Sequence, residues 1–69
     1  MNIRIQGELQ DGKVLMQVYI DNNDTPNSAQ IDLWVDYNDS MTILRQNTLT
    51  ELVSFLEQSL NSSSQLNLT

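Results

Sequence analysis

Two carboxylates, Asp32 and Asp36, flank the chain's single tryptophan, Trp34. Paired acids of this kind can do general acid–base chemistry when their carboxyl groups stand about 5–9.5 Å apart. The run Ile31-Asp32-Leu33-Trp34-Val35-Asp36-Tyr37 alternates apolar and polar, which is the pattern of a strand. Four residues along a strand span roughly 13 Å, so the pair is too widely spaced. The chain has no histidine and no cysteine, and no lysine lies near the pair to activate a nucleophile. Catalysis is therefore not expected, and no catalytic residue is assigned.

A second cluster, Asp21-Asn22-Asn23-Asp24-Thr25, places oxygen side chains at the first, third and fifth positions of a loop, with Asp32 at the twelfth. That spacing is the calcium-loop spacing of an EF-hand. Pro26 stands where that loop needs glycine, the twelfth residue is not glutamate, and strands rather than helices flank it. An Asn/Asp-rich turn accounts for the segment, so no metal and no cofactor is expected. Asn-x-Ser/Thr triplets at Asn23, Asn38, Asn61 and Asn67 follow from the high Asn, Ser and Thr content and do not by themselves mark glycosylation. The basic residues Arg4, Lys13 and Arg45 are too few to make a phosphate-binding stripe, which argues against direct nucleic-acid binding.

The elements that position these residues can be read from alternation. Ile3, Ile5 and Leu9 share one side of residues 2–9, with Gly7 in the fourth inward place and Arg4, Gln6 and Glu8 on the other side. Asp11-Gly12 suits a two-residue type I′ turn, in which both positions need positive φ. With that turn, Leu9 meets Val14, Gly7 meets Met16, Ile5 meets Val18 and Ile3 meets Ile20, and Arg4 lies opposite Tyr19. A loop from Asp21 to Ser28, carrying Pro26, leads to a third strand over roughly 29–37.

After a three-residue turn, Asn38-Asp39-Ser40, the alternation of Met41 and Ile43 predicts a fourth strand over 41–46. In it Val35 faces Ile43 and Trp34 faces Leu44. The β-branched Thr42 and Ile43 favour this reading. In the alternative, 41–46 already belongs to the helix and Ser40 is its cap. Thr48-Leu49-Thr50-Glu51 has the form of a capping box. Leu49, Leu52, Val53, Leu56 and Leu60 then recur at helical spacing, with an end near Leu60 or Asn61. The fold class is α+β: a small antiparallel four-stranded meander (β-β-β-β-α) with one C-terminal helix packed on one face. Residues 1–61 form the single domain, and 62–69 read as a disordered Ser/Asn-rich tail.

One helix covers one face of a sheet and leaves the other open. On that open face the predicted register gathers Leu15, Tyr19, Trp34 and Leu44, with Asp32 and Asp36. Tryptophan and tyrosine are enriched among residues that dominate protein interfaces. At 69 residues, with nine acids against three bases and a net charge of −6, the chain would repel nucleic acid and anionic membranes and attract a basic protein surface. The N-terminus alternates from its first residues, unlike a signal peptide, and no apolar run reaches about 20 residues, so a cytoplasmic location is expected. In size, charge and lack of cysteine the chain resembles small acidic proteins of mobile elements, such as anti-CRISPR and anti-restriction proteins. That likeness implies an inhibitor that binds another protein stoichiometrically, with its acids imitating nucleic-acid phosphates. The alternative is a structural or assembly protein that forms a homodimer through the same sheet face.

Overall fold

Asp11 and Gly12 both adopt positive φ, 53° and 76°, as a type I′ turn requires. The turn is closed by a pair of hydrogen bonds between Gln10 and Lys13, 2.7 and 2.8 Å long. In this computed structural model the chain is described at residues 1–7 and 9–67, the side chains of 63–67 aside. Strands β1 (Asn2–Ile5), β2 (Lys13–Asp21) and β3 (Ser28–Asp36) form one antiparallel sheet in the order β1-β2-β3, followed by helix α1 (Met41–Asn67).

The first hairpin forms, but its register shifts by two residues beyond the turn. Ile5 pairs with Met16 and Ile3 with Val18, in place of the Val18 and Ile20 partners that the turn alone predicts. The amides of Gln6 and Gly7 both donate to the Leu15 carbonyl, at 2.8 and 3.2 Å, so β1 bulges before it reaches the turn. Gly7 permits this crowding: a Cβ there would stand 2.9 Å from the Leu15 Cβ. A shift of two preserves parity, so Ile3 and Ile5 keep their side of the sheet. Arg4 consequently lies opposite Gln17, and Asn2 opposite Tyr19.

Strands β2 and β3 pair along their whole length, from Lys13–Asp36 to Asp21–Ser28. The connecting loop is held by its own side chains. Asn22 Oδ1 accepts from the Asp24 amide at 3.0 Å, and Thr25 Oγ1 accepts from the Asn27 amide at 3.3 Å. These are the local turns that Asn and Thr favour.

Among the described residues no fourth strand forms: the sheet has three strands, and residues 41–46 are the first turns of α1. Ser40 starts the helix. Its hydroxyl accepts from the Ile43 amide at 3.4 Å, its carbonyl accepts from Leu44 at 2.9 Å, and its own amide is held by Asn38 Oδ1 at 2.8 Å. The β-branched preference is weak, since helix propensities differ by only a few tenths of a kcal/mol, and one continuous helix from Ser40 aligns Leu44 with Leu52 on the core. As a helix, this segment buries Leu44, Thr48 and Leu52 at successive i, i+4 positions. Thr48 is therefore not a cap. It lies inside the helix, and its hydroxyl donates to the Leu44 carbonyl at 2.8 Å. The helix is described as far as Asn67, beyond the end expected near Leu60; Leu68, and with it the rest of the expected tail, lies outside the described residues.

Val14, Met16, Val18, Leu33 and Val35 from the sheet form the core with Leu44 and Leu52. The four-residue link Tyr37–Ser40 returns the chain directly over its own strand, so α1 packs chiefly on β3. Ile5 on β1 stays exposed as a result. Among the described residues no helix is long and apolar enough to cross a membrane. Ser40→Ala is expected to lower stability in urea unfolding by about 1 kcal/mol, the usual worth of such a cap. An unchanged midpoint would place the helix start elsewhere.

Candidate interaction surface on the open sheet face

The register stacks the open face into rows across the strands. Lys13 pairs with Asp36, Leu15 with Trp34, Arg4 with Gln17 and Asp32, and Asn2 with Tyr19 and Gln30. Trp34 and Tyr19 keep 44% and 42% of their surface exposed, Leu15 is half-buried, and Asp32 and Asp36 are exposed. Five of the six residues expected on this face are therefore there. Leu44 is not: it is fully buried on the opposite side of the sheet, because its segment is helix and its side chain points at the core.

The residue that sequence reasoning missed is Gln17. It is 8% exposed although it sits on the open face. It occupies the central strand with Arg4 and Asp32 on either side, and its Oε1 accepts from Arg4 Nε at 2.6 Å. A charge-assisted bond satisfies this buried amide and fixes the Arg4 side chain. The only advance signal was the register, and the unshifted register puts Arg4 beside Tyr19. This polar row separates the apolar group of Leu15 and Trp34 from Tyr19. On Tyr19's side lies a polar-lined hollow of about 200 Å³, walled by Asn2, Arg4, Gln17, Tyr19 and Gln30.

Among the described residues the strands of this face carry two bases, Arg4 and Lys13, and three acids, Asp32, Asp36 and, at the end of β2 opposite Ser28, Asp21. Lys13 Nζ lies 3.3 Å from Asp36 Oδ1. Both partners of that ion pair are largely exposed, so it contributes little to stability. The other described acids, such as Asp24, Asp39, Glu51 and Glu57, lie in the loops and on α1. Comparison with protein-family models, curated proteins and solved structures found no match. Among the described residues no group of three or more His, Cys, Asp or Glu side chains could hold a metal ion. Tyr37, expected on the core side, is exposed just past β3. A hydrogen bond to the Asp39 carboxylate, and that carboxylate's negative charge, hold its phenol pKa above the usual value. The phenol is therefore neutral at physiological pH.

Proposed function

We propose that this chain is a protein-binding module, acting by stoichiometric contact between its open sheet face and another protein. The observation that carries this reading is Trp34: the one tryptophan stands half-exposed on a regular strand, braced by Leu15 across the sheet. A tryptophan held this way loses little conformational entropy when covered, which is why such residues anchor interfaces. Tyr19 offers a second anchor across the polar row, and Arg4, Gln17 and Asp32 between them offer directional hydrogen bonds. The net charge of −6 favours a partner with a basic surface. An inhibitor of the mobile-element kind is one form of this reading. Imitation of nucleic-acid phosphates draws little support from the face itself, where among the described residues three acids stand against two bases; it would have to use the acids around the rim as well.

The partner is to be captured from the native host and its affinity measured by titration calorimetry. Trp34→Ala is expected to leave the far-ultraviolet circular dichroism unchanged and to weaken binding by about 2 kcal/mol, some 30-fold. Unchanged affinity in the folded variant would remove the open face as the docking surface.

A further inference from the structure

The hollow beside Tyr19 is walled by hydrogen-bonding side chains, and among the described residues no acid lines it. Its only charged group is Arg4, and a guanidinium can only donate. Arg4 Nε is taken by Gln17 Oε1 at 2.6 Å, which fixes the plane of the group. Its two Nη groups make no hydrogen bond among the described residues, and the one ion pair there is Lys13 with Asp36. Asp32 does not serve Arg4: it lies two strands away, about 9–10 Å across the sheet. Gln17 is a second, independent donor. It is 8% exposed and walls the hollow, and its Nε2 has no partner among the described residues. No buried side-chain nitrogen or oxygen there is left unpaired, so this Nε2 is open to solvent. A nearly buried amide with one open donor is a fixed place for an acceptor.

We propose that this hollow binds one carboxylate group, and that in the complex the carboxylate is an Asp or Glu side chain of the partner protein. The second half rests on the reading that the open face meets a protein. Donors without a paired acid select an anion, and the Nη pair of a fixed guanidinium matches the two oxygens of a carboxylate. Charge selects a carboxylate over a phosphate. One guanidinium among neutral amides and a phenol balances a single negative charge. A phosphate dianion would keep one unbalanced, on a face that also carries Asp21 and Asp32. Size selects a group over a whole molecule: about 200 Å³ is below the roughly 300 Å³ at which pockets for small molecules begin.

The full chain, isotope-labelled, is titrated with sodium acetate against sodium chloride at equal ionic strength. The Arg4 Nε–H and Gln17 side-chain amide resonances are followed. Acetate is expected to shift both saturably, with a dissociation constant of about 10–50 mM, the strength that hydrogen bonds to one charged group supply. Arg4→Gln should abolish the saturable shift at Gln17 while circular dichroism shows the fold retained. Arg4→Lys, which keeps the charge and loses the fork, should weaken it several-fold, and decides alone if Arg4→Gln fails to fold. Trp34→Ala should leave acetate binding unchanged. A linear response shared with chloride, a response that survives either Arg4 substitution in full, or inorganic phosphate binding more tightly than acetate would overturn the site.

Titration of the captured partner separates this site from the docking face as a whole. Arg4→Gln is expected to weaken the partner about tenfold, the worth of a hydrogen bond to a charged group. Affinity lost with Trp34→Ala and kept with Arg4→Gln would overturn the partner's carboxylate and leave the open face as the docking surface. Affinity kept in both variants would overturn the face and the partner's carboxylate together, and saturable acetate binding would then support the hollow as a carboxylate site on its own.

Discussion

Leu44→Ala is expected to cost about 3 kcal/mol of folding stability, within the range for truncating a fully buried leucine. Leu44 has no exposed surface and packs in the cluster with Leu33, Val35 and Leu52. A chain of 69 residues holds only about 3–10 kcal/mol of net stability. At the lower end of that range the variant is partly unfolded at room temperature. Ile43→Ala, one position earlier, is expected to shift stability by no more than about 0.5 kcal/mol, because Ile43 is exposed and alanine is the better helix former. Urea unfolding followed by circular dichroism measures both. The pair decides between helix and strand at 41–46. In a strand Ile43 faces the core and Leu44 faces out beside Trp34, so a costly Ile43→Ala with a harmless Leu44→Ala would restore the fourth strand.

The same residues show how far the sequence reveals the structure. The turn at Asp11-Gly12 was legible because positive φ at two successive positions is a demand that few residue pairs meet. The burial of Leu33 and Val35 and the exposure of Trp34 were legible because a strand's two-residue period leaves one choice of face. The two-residue register shift was not, since alternation is blind to any even displacement. Gly7 was the one mark of it, and a glycine in a strand also fits an ordinary inward place. Residues 41–46 were ambiguous for a related reason. A six-residue segment with apolar residues at 41, 43 and 44 satisfies both periods, and only the continuation to Thr48 and Leu52 breaks the tie. The error at Leu44 and the omission of Gln17 both descend from those two readings. Each misplaced a neighbour while keeping the face itself intact.

Gly7→Val is expected to cost about 3 kcal/mol, the upper part of the range for forcing side-chain atoms into an occupied space. A Cβ at position 7 would lie 2.9 Å from the Leu15 Cβ and 3.2 Å from its Cδ2. The first of these atoms is fixed to the backbone of β2 and cannot swing aside, so the strands must part. Leu15 is the cross-strand neighbour of Trp34. Its displacement should therefore reach the open face, shift the emission of the single tryptophan and weaken partner binding. Gly12 provides the contrast. Nothing lies within 4 Å of a Cβ there, but its φ of +76° strains any other residue. Gly12→Ala should thus lose about 1 kcal/mol through the backbone alone, with tryptophan emission unchanged. One glycine is required for space and the other for its dihedral angle, and only the first is coupled to Trp34. If Gly7→Val melts like the wild type with unaltered emission, β1 does not crowd Leu15. The hairpin then follows the unshifted register, in which Gly7 faces Met16 and Arg4 faces Tyr19, and the Arg4–Gln17 row is lost from the open face.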